Sequence, residues 1–191
     1  MTGKKSRSKK REEFVEKEKK SGLKPVYILG IVVVAIAAGA FFSGSGSSKA
    51  ESIDTADSEG GNDPANLYIP ISKVNDGLAH FYELPSKTGK TIRFFVLKSS
   101  DGIIRAAFDA CDVCFREKKG YRQEGDNMVC NNCGRKFPSD RINVEQGGCN
   151  PAPLTRILED SDHKSVPLNS NLVDGFVVIN KSDIELGARY F

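Results

Sequence analysis

All five cysteines of this 191-residue chain fall inside thirty-nine positions, as two C-x-x-C pairs followed by a single residue. Cys111 and Cys114 stand in FDACDVCF, Cys130 and Cys133 in VCNNCGRKF, and Cys149 in GGCNPAPL. Two C-x-x-C turns joined by a loop can bring four thiolates to one point, and that demand constrains the domain more than any other pattern in the chain. Each pair folds as a tight knuckle whose amide N–H groups hydrogen-bond the sulfurs and offset their charge. A residue at positive φ often follows the second Cys; Gly134 suits that position in the second pair, and Phe115 suits it less in the first. Fifteen residues, FREKKGYRQEGDNMV, separate Cys114 from Cys130, with Gly120 and Gly125 at turn positions. That length suits a short hairpin returning Cys130 beside Cys114, as in ribbon-type tetrathiolate sites.

Several chemistries compete for these residues. Two local disulfides suit an oxidising compartment, yet they leave a fifth Cys unpaired, and C-x-x-C disulfides are more often redox-active than structural. A thioredoxin-like pair needs a βαβ frame, which the surrounding pattern lacks. Metal binding is the expectation. Four thiolates accept Zn²⁺, a single Fe, an iron–sulfur cluster or Cu(I). Spacing alone favours a zinc ribbon, because ferredoxin-type runs are tighter, and four sulfurs leave zinc no open position for catalysis. Cys149 follows Gly147-Gly148 and precedes the Asn150-Pro151 turn, and reads either as a buried thiol or as a further ligand. His80, in AHFYEL, is a half-buried strand histidine or a ligand; His163, in EDSDHKS, is a solvated loop residue. Asp109 and Asp112 flank Cys111 as turn-capping or ligand-supporting groups.

The rest of the chain places this centre. Residues 1–24 hold ten Lys/Arg against four Glu, so this tail carries +6 of a total +3 and the remainder carries −3. Residues 25–42, PVYILGIVVVAIAAGAFF, have no charged side chain. At a helical rise these eighteen residues cover roughly 27 Å, close to the hydrocarbon thickness of a bilayer. A soluble core helix would show a polar face, and a cleaved signal peptide would have a shorter apolar stretch followed at once by a small-residue cleavage site. The segment is therefore expected to be a retained transmembrane signal anchor, with a cytoplasmic N-terminus and an extracytoplasmic body. The basic tail serves topology and lipid contact, and a mildly acidic body argues against nucleic-acid binding.

Residues 43–65 are Gly/Ser/Asp-rich and read as a flexible linker, so the folded domain is expected over residues 66–191. Its pattern is α+β and mostly β: a small extracytoplasmic β-rich domain behind one N-terminal transmembrane helix. Leu67–Val74 and Leu78–Leu84, either side of Asn75-Asp76-Gly77, read as a hairpin. Thr91–Leu97 and Ile103–Phe108 read as a second hairpin around Asp101-Gly102, delivering the chain to Cys111. Gly175–Asn180 is another strand, Lys181–Leu186 a helical turn or strand end, and Ala188–Phe191 packs aromatics on the core.

The segments DGLAHFYEL, IRFFVLKSSDGIIRAAFDACDVC, KKGYRQEGDNMVCNNCGRKFPSDRI and GGCNPAPL resemble the FtrD-like family of membrane iron–sulfur-containing proteins, over about Asn66 to Phe191. The resemblance implies an iron–sulfur or related metal centre on Cys111, Cys114, Cys130 and Cys133, with Cys149 and His80 also at family motif positions. It further implies electron transfer beside a membrane iron permease or redox protein. No catalytic triad, nucleotide loop or acid/base carboxylate pair is present, so no enzyme activity is expected. The function expected is electron transfer or metal handling at the membrane; the alternatives are a structural zinc assembly module and an extracytoplasmic copper or iron chaperone.

Overall fold

A strand buried on one face alternates apolar and polar residues, whereas one buried on both reads as a continuous apolar run. The run IRFFVL is of the second kind, and the fold is organised around it. The computed structural model describes residues 51–52, 61, 63–172 and 174–191. The basic tail and the apolar run 25–42 lie outside them; among the described residues no helix is long and apolar enough to cross a membrane. In chain order the strands are β1 (Glu51–Ser52), β2 (Asn66–Pro70), β3 (His80–Pro85), β4 (Thr91–Lys98), β5 (Ile104–Phe108), β6 (Tyr121–Glu124), β7 (Asn127–Cys130), β8 (Lys136–Pro138), β9 (Ile157–Glu159), β10 (Ser165–Val166) and β11 (Phe176–Asn180), followed by the short helix α1 (Lys181–Leu186). The described residues are thus β-rich with one short α-helix.

The central sheet has the order β1-β3-β4-β5, with β3, β4 and β5 antiparallel. Register places Phe81, Phe95 and Ala107 in one row and Tyr82, Phe94 and Phe108 in the next. Successive side chains point to opposite faces, so these rows serve two different cores. The Tyr82–Phe94–Phe108 face packs with Leu67, Ile69, Leu158, Val177 and Ile179 of a second sheet, ordered β10-β9-β11-β2. The Phe81–Phe95–Ala107 face packs with Tyr121, Met128, Phe137, Cys111 and Cys130. Those residues belong to, or adjoin, a third sheet ordered β6-β7-β8. β4 is therefore covered on both sides, which accounts for its adjacent Phe94 and Phe95, both fully buried.

The second hairpin forms as expected, Val96 opposite Ala106 across the Asp101-Gly102 turn. The first does not. β2 pairs with β11, Leu67 opposite Ile179 and Ile69 opposite Val177, while β3 pairs with β4. Asn75-Asp76-Gly77 does turn the chain, with Gly77 at φ 78° and the Asp76 carboxylate accepting the Leu78 amide at 2.9 Å. Turn chemistry set the local bend, but a 3₁₀ turn at Ile71–Lys73 precedes it and carries the chain from one sheet to another. Within the stretch whose composition marks it as a linker, β1 pairs in parallel with β3, Glu51 opposite Tyr82.

Lys181–Leu186 resolves as helix: the Asn180 side chain accepts the Ser182 amide at 2.8 Å and caps its start. The chain then packs tightly on the core, since a Cβ at Gly187 would lie 2.1 Å from the Phe108 ring. Tyr190 is buried there, its ring 5.9 Å from that of Phe108.

Candidate metal centre

Three segments carry the cysteines to one place. The first knuckle leaves the end of β5, extended by the Asp109 amide donating to Arg93 O at 2.9 Å. It closes with the Cys114 amide donating to the Cys111 sulfur at 3.1 Å. The left-handed residue ending this turn is Lys118, at φ 53° after the 3₁₀ stretch Phe115–Glu117, so Phe115 is not asked to adopt that conformation. The second knuckle joins β7 to β8. Gly134, at φ 72°, donates its amide to Cys130 O at 2.8 Å, and the Cys130 amide donates to Arg135 O at 3.0 Å. β6 and β7 form the hairpin that the spacing required, with Tyr121 opposite Cys130. The knuckles are laced together as well: Asn131 donates through its amide to Gly120 O at 3.0 Å and through Nδ2 to Lys119 O at 2.9 Å.

The third segment is Gly147–Leu154. Both glycines have positive φ, and beyond them the Ala152 amide donates to Ala110 O at 2.9 Å while Ala152 O accepts the Phe108 amide at 2.8 Å. This strip docks Cys149 beside the first knuckle, and the Cys114 and Cys149 sulfurs lie 3.6 Å apart. Two sulfur groups result, each with all sulfurs within 4.8 Å of one another: Cys111, Cys114 and Cys130, and Cys114, Cys133 and Cys149. All five cysteines are free; Cys111 and Cys130 are buried, Cys114 and Cys149 half-buried, and Cys133 exposed.

The thiols differ electrostatically. Burial pushes Cys130 up to about 11, although the Cys133 and Asn132 amides donate to its sulfur and pull the other way. Cys149 is also raised, by burial and by the neighbouring Cys114 and Cys133 sulfurs. Cys133 is held below the ordinary thiol range, chiefly by the Arg135 amide. The thiolate is the form that binds metal, so Cys133 offers the readiest ligand, at the surface.

Supporting residues complete the centre, and several escaped the sequence. The Tyr121 hydroxyl donates to Cys149 O at 2.5 Å, pinning the third segment to β6. Nothing in the spacing of GYRQE points to that role. Asp109 accepts the Tyr121 amide at 2.6 Å and lies 3.4 Å from Arg93 Nε. Burial raises its carboxyl to about 6 against the pull of that amide and of Arg93. Asp112 accepts the Tyr190 hydroxyl at 2.8 Å, tying the knuckle to the C-terminal turn. These two aspartates brace neighbouring elements rather than cap the knuckle. Asn143 donates to Ala106 O at 3.1 Å and Leu154 O at 2.8 Å, joining β5 to the third segment.

The structure does not bring His80 to the sulfurs: its Nε2 lies 2.9 Å from the Asp76 carboxylate. His163 is also elsewhere, stacked on Phe176 at 5.2 Å with Nδ1 3.3 Å from Glu159. It is packed against aromatic rings rather than standing free in a loop. The donor set at the centre is therefore all sulfur, which fits soft or borderline metals and iron–sulfur clusters and disfavours Mg²⁺ or Ca²⁺. The cysteines are the residues that would hold such a group.

No curated protein and no solved structure matches the chain. A family model does, over residues 74–191, from the turn before β3 to the last residue, so that it takes in the central hairpins and all five cysteines. The chain belongs to the family described as membrane iron-sulfur containing protein FtrD-like.

Proposed function

We infer that this protein is a membrane-anchored carrier whose extracytoplasmic domain holds a thiolate-bound redox metal, and that it passes electrons during iron transport. The observation carrying this reading is the sulfur cluster that runs from buried Cys111 and Cys130 to exposed Cys133. A centre that exchanges electrons or metal with a partner needs a surface approach, which the exposed Cys133 supplies. Bound iron would supply a reversible one-electron step. The chain's own contribution is to hold the sulfurs, to donate amide N–H groups from Cys114, Asn132, Cys133 and Arg135, and to bury the inner pair. Such hydrogen bonds and burial are the levers that set a reduction potential.

The partner we assign is a membrane iron permease or a redox protein beside it, met by a domain tethered through the apolar run 25–42, N-terminus inside. No catalytic role is assigned. The second reading, a structural zinc module, draws on the ribbon-like placing of both knuckles against the β6–β7–β8 sheet. Visible absorption of the anaerobically purified full chain separates the two. A brown or red protein that bleaches on reduction and recovers on oxidation is expected, because sulfur-to-iron charge transfer absorbs visible light. A colourless, zinc-loaded and redox-silent protein would overturn the electron-transfer reading.

A further inference from the structure

A single tetrathiolate ion needs four sulfurs that are mutual neighbours, whereas a soft ion such as Cd²⁺ or Cu⁺ also accepts three thiolates. Among the described residues no four of the five sulfurs lie within 4.8 Å of one another; they fall instead into two triads that share Cys114. We propose that the centre holds two metal ions: an inner one on Cys111, Cys114 and Cys130, an outer one on Cys114, Cys133 and Cys149, with the Cys114 sulfur bridging them. The proposal rests on the reading of this centre as metal-binding and adds its stoichiometry and the assignment of each ligand.

Two observations support it. The triads differ in access, since the inner set has two buried members whereas the outer set includes the exposed Cys133 and the half-buried Cys149. Bridging also accounts for Cys149: its sulfur lies 3.6 Å from that of Cys114, and the Tyr121 hydroxyl and the Ala152 pairing hold it there. A thiolate sulfur has lone pairs enough to bind two soft ions, and Cys114 is the one sulfur common to both sets.

Cadmium is the probe, being a soft divalent ion whose bonds to thiolate absorb in the ultraviolet. The reduced, metal-stripped full chain in detergent micelles is titrated anaerobically with Cd²⁺, and the ¹¹³Cd resonances of the loaded protein are counted. Two equivalents at saturation and two resonances are expected. Cys133→Ser, at an exposed position, should saturate at one equivalent and keep the inner resonance, with an unchanged far-ultraviolet circular dichroism spectrum confirming the fold. Cys130→Ser should lose the inner resonance instead, and Cys114→Ser should weaken both sites at least tenfold. Saturation at one equivalent, or a Cys133→Ser variant that still takes two, overturns the two-ion inference and leaves the metal-binding reading intact. A chain that takes up no cadmium overturns both.

Discussion

The sulfurs of Cys114 and Cys149 lie 3.6 Å apart although thirty-five positions separate them in the chain. No local turn makes that contact. It depends on the strip Gly147–Leu154 lying along the end of β5, and on Tyr121 reaching across from β6 to the Cys149 carbonyl.

Tyr121→Phe keeps the ring packed between Phe95 and Phe137 and deletes only the hydroxyl that Cys149 O accepts at 2.5 Å. Losing a hydrogen bond of this kind costs about 1 kcal/mol, and somewhat more where the carbonyl is left unpaired. Urea unfolding should register that loss. Metal competition should register a further one, since Cys149 is no longer pinned beside Cys114; affinity equal to the unsubstituted protein would mean that the hydroxyl does not position the third segment.

Gly120 and Gly134 both have positive φ, 64° and 72°, but only the first is crowded. A Cβ at Gly120 would sit 2.3 Å from the Asp109 carboxylate, whereas one at Gly134 meets nothing within 4 Å. Gly134→Ala should cost about 1 kcal/mol, the left-handed backbone penalty alone. Gly120→Ala carries that penalty plus the displacement of Asp109, for about 3 kcal/mol in all. Equal thermal midpoints for the two variants would contradict the crowding.

Arg105 is buried, and Asp101 pairs with its guanidinium at 2.5 Å. Slight burial pushes the Asp101 carboxyl up, but the Ser99 hydroxyl, the Ile103 amide and Arg105 outweigh it and hold it below the usual carboxylate range. A carboxyl with a depressed folded pKa contributes stability above its unfolded pKa and loses it as pH falls through the folded one. Asp101→Asn should therefore destabilise the protein at pH 7 by about 1 kcal/mol, a figure reduced for the solvent around the carboxylate. The gap between variant and parent, followed by urea unfolding, should close as pH falls from the usual carboxylate range through the lowered folded one. A gap independent of pH would refute the assignment.

Phe95 is fully buried on the face of β4 that meets the cysteine-bearing sheet, its ring 5.6 Å from Phe81 and 6.4 Å from Tyr121. Phe95→Ala should cost about 3–5 kcal/mol, transfer and cavity together. Hydrogen exchange should locate the loosening in β6–β8 ahead of the β2–β11 pairing, because those strands pack on opposite faces of the central sheet. Uniform loosening would argue that the two cores are not separable.

Local chemistry was legible in the residues themselves. The β4–β5 hairpin follows from the Asp101-Gly102 turn between two apolar runs, and the β6–β7 hairpin from fifteen residues between the two C-x-x-C pairs. Gly134 takes the positive φ its place after Cys133 demands. Each depends on neighbours a few positions away, where backbone sterics and turn geometry decide.

Pairing between distant segments was settled only in three dimensions. LYIPISKV carries the same alternation whether it faces β3 or β11, and it pairs with β11 because that partner completes the second sheet. Likewise Cys149 lies fifteen residues or more from either C-x-x-C pair, and its place is set by the strip that follows it along β5. Spacing along the chain identified thiols able to meet; the packing of three sheets determined that they gather as two triads sharing Cys114, since only the folded backbone sets distances between segments with no turn in common.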